Sequence, residues 1–346
     1  MTTSRERVLA AIRFQGSDRV PYDLMEGCVW PELMEYFRSR HGLAQESDVL
    51  DFLGVDFRWT GMRYVGPPQT EYADYCAHDF HLTYSDTVCR RPLADAHTVS
   101  DIEAYGWPDP TWFEPGDYRA FRKRFPDHAI VAAPPWMPLF CYPCVAFGME
   151  EVLVKMLTEP IVVEAFISTL SEIYLEILKR HLNAAEGVID ICYLADDWGS
   201  NNGLIMGPEP WRRFIKPHLA RHIQLVHAHG MVAMMHSCGS IRSILPDLVD
   251  IGLDSLSVFQ TTCAGMDAHE IAREFGGKMA FYGGIDTQRL LSFGSPDEVA
   301  AAVRNNVEAF EKCGGYIVAN SHHSLATIRG ENIEAMCDAA RDAPAR

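Results

Sequence analysis

The segment 231–241 reads MVAMMHSCGSI: five apolar residues, then a histidine and a cysteine one residue apart. Side chains two apart on a strand point to the same side, so His236 and Cys238 can face one spot. An imidazole nitrogen and a thiolate sulfur presented together suit zinc. Simple packing of a buried histidine against a buried cysteine is the competing explanation. A second run, YIVANSHH (316–323), ends on His322 and His323. Either could supply a third ligand and leave a fourth position for substrate or water, as catalytic zinc sites do.

Other residues at the ends of apolar runs could join such a site. Asp196 and Asp197 are adjacent, so only one should face inward. An acid there could protonate a leaving oxygen, bind substrate or orient a zinc ligand; a loop-bracing carboxylate is the alternative. Tyr22, Gln260 and Asp286 fit as pocket lining, although Asp286 follows two glycines and suits a braced turn. Arg58 and Arg63 could hold a substrate carboxylate. Cys141-Tyr-Pro-Cys144 resembles a redox pair without the thioredoxin-like context that such a pair needs. In HLARH (218–222) the two histidines lie a turn apart, but the glutamate of a zinc-peptidase helix is missing. That stretch reads as a solvated helix face.

These residues need a scaffold. Eight short β-type runs cover 20–25, 55–60, 129–134, 188–195, 231–236, 255–260, 279–284 and 316–321. Most are separated by amphipathic stretches such as 150–182 and 298–313, with apolar residues recurring at three and four. Several runs are apolar throughout, as in a parallel sheet buried on both faces. The pattern predicts a (β/α)8 TIM barrel, with a doubly wound open sheet as the alternative. Residues 3–14 predict a helix closing one end. The irregular stretch 61–120 predicts an insertion after the second strand that caps the mouth. A single domain over 1–346 is expected.

The bulk composition narrows the function. Of 346 residues, 48% are hydrophobic, and no run reaches the ~18 apolar residues of a membrane span. The arginine-bearing N-terminus does not read as a secretory leader, and ten scattered cysteines suit reduced thiols, so a cytoplasmic enzyme is expected. Thirty basic against 47 acidic residues, a formal charge of −17, disfavour nucleic acid and anionic membranes as partners. Oligomeric state is left open by the sequence, with a homodimer unsurprising on frequency alone.

Several long motifs resemble the uroporphyrinogen decarboxylase superfamily. They are RERVLAAIRFQGSDRVPYD, LADDWGSNNGLIMGPEPWRRFIKPHL, HSCGSIRSILPDLVDIGLDSLSVFQ, GGIDTQRLLSFGSPDEVAAAV and GGYIVANSHHSLATIRGENIEAM. They look specifically like its methyltransferase-type branch, which includes the methylcobalamin:coenzyme M methyltransferases. The resemblance covers most of the chain in order and is weakest over 61–120. It implies a barrel, a zinc held by H-x-C plus a later cysteine, and a corrinoid as methyl carrier. Counting back from GENIEAM, that later cysteine is His322 here, giving His236, Cys238 and His322 as the implied ligands, with His323 as the substitute. The decarboxylases lack the H-x-C pair. Their M-R-Q-A-G-R motif, which clamps carboxylates, is matched here by DLMEGCVWPELMEY, with Glu26 and no arginine. Glu26 would repel a polycarboxylate.

One thiolate with two neutral histidines leaves zinc a net positive charge, which favours Lewis acidity over thiolate activation. The expected reaction is therefore zinc-dependent methyl transfer between a small methylated or methoxylated compound and a corrinoid, the latter carried on a partner protein. A methoxyl oxygen polarised by the metal is the favoured donor. Metal-independent decarboxylation of a small carboxylic acid, with Asp196 or Asp197 as proton relay, is the alternative. A non-catalytic barrel that binds a corrinoid or a partner is the third reading.

Overall fold

Seven of the eight apolar runs pair as one parallel sheet in chain order. The computed structural model describes residues 2–67, 91–323 and 325–343. Its sheet strands are β1 (Phe57–Gly61), β2 (Ala129–Ala133), β3 (Ile191–Ala195), β4 (Val232–His236), β5 (Ser255–Phe259), β6 (Ala280–Ile285) and β7 (Tyr316–Asn320). The alternation within each strand explains why both faces are apolar. Tyr193, Met234, Tyr282 and Ile317 join one interior cluster. Cys192, Leu194, Ala233 and Met235 join a second, outer cluster with the helices. A sheet covered on both faces needs apolar residues in both phases.

The expected first strand, 20–25, shrinks to a single parallel bridge between Tyr22 and Val318. Its backbone nonetheless bonds toward both edges of the sheet. The Asp23 N–H donates to Val318 O at 2.9 Å, and the Asp56 N–H, just before β1, donates to Tyr22 O at 2.9 Å. Pro21 has no N–H to extend the ladder. The turn Met25–Gly27, with Glu26 at φ 56° and Gly27 at φ 63°, ends the extended backbone on the other side.

Helix α1 (Ser4–Ile12) starts at a Thr3–Glu6 capping box and turns Val8 and Ile12 into the interior cluster. Its Arg5 N–H bonds Asp127 O, just ahead of β2, so it lies at the N-terminal ends of the strands, as expected. Below the sheet, the buried Asp56 carboxylate takes Arg7, Arg19 and the Tyr22 N–H, joining α1 to the first segment and β1.

The outer wall includes α2 (Cys141–Phe147), α3 (Pro160–Ala185), α4 (Lys216–Ala228) and α5 (Pro296–Ala309). In α3, Val163, Phe166, Ile167, Leu170, Tyr174, Ile177 and Leu178 recur at three and four and are all buried. The centre of the expected insertion, 68–90, lies outside the described residues. Its flanks are more regular than expected: Arg63–Tyr64 pairs antiparallel with Phe113–Glu114, and Leu93, Ile102 and Tyr118 are buried in the outer cluster. Among the described residues no helix is long and apolar enough to cross a membrane.

Candidate metal centre and adjoining cavity

Four strand-end turns converge at the C-terminal edge of the sheet. Register sets Ala195 beside His236 and His236 beside Ser257, so β3, β4 and β5 end at a common level. His236 is the last inward residue of β4, and the turn Ser237-Cys238-Gly239 follows. Gly239 has φ 79°, and a Cβ there would meet the Gly199 carbonyl carbon at 2.4 Å. Only glycine allows the two turns to pack this closely. From β7, Asn320 accepts the Met25 N–H at 2.8 Å and donates to His322 O, tying the Glu26 turn to the histidine turn.

These turns bring His236, Cys238 and His322 together, with one ligand atom from each all within 4.8 Å of one another. The His236 Nε2–Cys238 Sγ distance is 3.4 Å. Zinc bonds of ~2.1 Å to nitrogen and ~2.3 Å to sulfur at a tetrahedral angle require roughly 3.6 Å. The donor set and its spacing therefore fit zinc. His323 turns elsewhere, its Nε2 lying 3.2 Å from Glu26 Oε2.

The surroundings favour positive charge on His236. Burial opposes a proton there, yet Tyr193, Cys238 and Asp197 together raise its proton affinity well above normal. The same surroundings suit a metal cation. Tyr193 OH lies 2.9 Å from His236 Nδ1 and donates to Glu26 Oε1 at 3.0 Å. With its one proton committed to Glu26, the hydroxyl accepts from Nδ1–H and leaves Nε2 as the ligand atom. Asp197 Oδ1 accepts the Cys238 N–H at 2.8 Å and lies 3.4 Å from His236 Nε2. Burial works against the Asp197 charge, but His236 and the Cys238 N–H hold it well below the usual carboxylate range.

A cavity of ≈310 Å³ opens against His236, walled by Glu26, Trp59, Trp136, Tyr174 and Tyr193 with small residues between them. Trp59 donates its indole N–H to Asp23 Oδ2 at 2.8 Å, and its ring meets that of Tyr193 at 4.9 Å and 87°. Tyr282 OH donates to the same Asp23 oxygen at 2.8 Å.

Comparison with known families is decisive for ancestry. The uroporphyrinogen decarboxylase (URO-D) family profile matches residues 129–343, well over half of the chain. The chain belongs to the uroporphyrinogen decarboxylase family. Its curated relatives include two methylcobamide:CoM methyltransferases, MtaA, from Methanosarcina barkeri and from M. barkeri strain Fusaro. They are 29% and 27% identical over 158 residues. Each match covers 45% of this chain and 42% of the relative, so it spans under half of the relatives' length. Among solved structures, a methyltransferase from Methanosarcina mazei aligns over 99% of both chains, with a TM-score of 0.69 and 18% identity. That likeness is one of fold.

Several residues expected at the site of this uroporphyrinogen decarboxylase family member are elsewhere. Asp196 points away from the cavity, and all four of its lone-pair positions are taken. Oδ1 accepts the Cys141 and Asp197 N–H groups, and Oδ2 accepts Phe140 N–H and Trp198 Nε1–H. Burial pushes this carboxyl up to about 6, but its geometry is that of a brace between β3 and the turn before α2. Tyr22 donates its hydroxyl to Leu53 O and is buried behind the sheet edge. Gln260 accepts the Gly239 N–H and donates to Ser321 O, linking the two ligand turns rather than lining the cavity. Asp286 caps its own turn by accepting the Arg289 and Leu290 N–H groups.

Neither arginine reaches the cavity. Arg58 is buried against Val55 O, Phe57 O and Asp51, and Arg63 pairs with Glu114 on the surface. Cys141 and Cys144 are free, buried thiols in α2, and burial raises both. The solvated reading of HLARH fails for His222. It is buried, bonded to Ser171 Oγ at 3.1 Å and pushed down by desolvation to about 3.

Proposed function

We propose that this chain is a zinc-dependent methyltransferase moving a methyl group between a small methylated or methoxylated compound and a corrinoid. One observation carries the reading: His236, a member of the His236–Cys238–His322 cluster, lines a cavity large enough for a small molecule. The methyltransferase relatives and the hydrogen bonds from Pro21–Asp23 toward both sheet edges, which suit a closed barrel, support it. His236, Cys238 and His322 would hold the metal, and zinc bound there supplies Lewis acidity.

The chain's own residues supply orientation. Tyr193 fixes the His236 ring, Asp197 holds the Cys238 amide, and the aromatic walls keep bulk water from the donor methyl. The corrinoid would arrive on a partner protein at the C-terminal edge of the sheet, where the cavity opens. Decarboxylation, with Asp196 or Asp197 as proton relay, is the weaker reading: Asp196 has no free lone pair, Asp197 is engaged by His236 and the Cys238 N–H, and the described cavity walls hold no lysine or arginine for a carboxylate.

The test is elemental analysis of the purified chain beside Cys238→Ala and His322→Ala, followed by corrinoid methylation assays. About one zinc per chain, lost in both variants together with methyl transfer, is expected. A wild-type chain that takes up no zinc even after supplementation sinks the proposal.

A further inference from the structure

We propose that the cavity beside His236 is an aromatic cage for a methylated onium cation, a quaternary ammonium or a sulfonium. This inference rests on the methyl-transfer reading and narrows its substrate class. Four aromatic side chains, Trp59, Trp136, Tyr174 and Tyr193, form the walls, and Glu26 supplies a carboxylate. A cation that has no N–H to donate gains most from ring faces and a nearby negative charge.

Two walls are fixed. Trp59 and Tyr193 stand at 87°, and each ring is tethered at its polar atom. The Trp59 indole N–H donates to the buried Asp23 carboxyl. Tyr193 is held by Glu26 and His236.

Charge points the same way. Among the described lining residues there is no lysine or arginine. A sulfonate or carboxylate would enter without the paired donors such anions need. Glu26 on the wall and Asp197 beside His236 make the described surroundings acidic rather than basic, which favours a cation over an anion.

The chemistry balances without a proton donor. The C–N or C–S bond breaks with its electron pair left on nitrogen or sulfur. The methyl passes to a Co(I) corrinoid, which supplies both electrons of the new bond. A neutral amine or thioether leaves and takes no proton. Asp196, whose lone pairs are all occupied, is not needed.

Titration calorimetry of the zinc-loaded chain tests this with choline, trimethylsulfonium, the uncharged isostere 3,3-dimethylbutan-1-ol and the anion 2-mercaptoethanesulfonate. Choline or trimethylsulfonium should bind at least ~10-fold tighter than the neutral isostere. Trp59→Leu and Glu26→Gln should each weaken the cation ~10-fold or more, while Trp59→Phe keeps most of the affinity. Equal binding of the isostere, or preferred binding of the sulfonate, overturns the cage. No cation binding alongside intact methyl transfer from a methoxylated donor overturns the cage and leaves the methyltransferase reading standing. Cation binding in a chain that holds no zinc and methylates no corrinoid leaves the cage standing and overturns that reading.

Discussion

The hydroxyl of Tyr193 sits 2.9 Å from His236 Nδ1 and donates its hydrogen bond to Glu26 Oε1 at 3.0 Å. The tautomer of a metal-ligating histidine is set by the partner of its other nitrogen. Tyr193→Phe keeps the ring and removes the hydroxyl that joins His236 to Glu26. Zinc affinity should fall about 10- to 100-fold, read by competition with a chromophoric chelator, with little change in thermal stability. Unchanged zinc affinity would mean that His236 is oriented by packing alone.

Asp196 and Asp197 are neighbours with opposite duties. Replacing Asp196 by Asn puts an NH2 where N–H donors already converge. Stability should drop by about 1–3 kcal/mol in urea unfolding, with zinc content retained. Asp197→Asn should instead weaken zinc binding, since its carboxylate lies against His236 Nε2 and the Cys238 N–H. A catalytic Asp196 would reverse this pattern, with activity lost and stability kept.

Asp23 is fully buried, and burial pushes it from 3.8 up to about 7 despite hydrogen bonds from Trp59 and Tyr282. Between pH 3.8 and about 7 the folded chain holds a proton that the unfolded chain releases. Stability from this group is therefore fully present at the acid end of that window and declines as pH rises through it. Integrated over the shift, the change is on the order of 4 kcal/mol. Asp23→Asn should thus gain on the wild type from pH 5 to pH 8, as read by urea midpoints at each pH. An equal difference at both would show that the carboxyl stays ionised throughout.

Gly239→Ala adds a Cβ 2.4 Å from the Gly199 carbonyl carbon, at a residue with φ 79°. The cost should be about 2–4 kcal/mol. Because Cys238 precedes it, zinc should be lost at temperatures where circular dichroism still reports a folded chain. A variant that binds zinc normally would show that the two turns can separate without moving the thiol.

Much of the scaffold was legible because β2 to β7 are apolar on both faces, which local sequence records directly. The segment 20–25 looked like a strand for the same reason, but Pro21 and the Glu26–Gly27 turn cut its pairing short. The pair His236 and Cys238 was readable from spacing, and His322 from family resemblance. The Asp196 brace was not, since its partners Phe140 and Cys141 lie 56 and 55 residues away. Nothing local marked Trp59 and Tyr193 as cavity walls either. Tyr193 stands in the inward phase of its strand, a signal that alternation could have given. His222 was misread although Leu219, Ile223 and Val226 place it on the buried stripe of α4.

Asn320 joins the Met25 amide to the carbonyl of His322, across 295 residues of chain. The order of synthesis follows from this. A nascent chain that has passed residue 238 presents only a histidine–thiolate pair, which is a poor chelate. The third proposed ligand emerges more than 80 residues later, on a turn that Asn320 ties to one made at the start. Capture of the proposed metal would thereby wait until both halves of the polypeptide have met, and an incomplete or arrested translation product would carry no competent site.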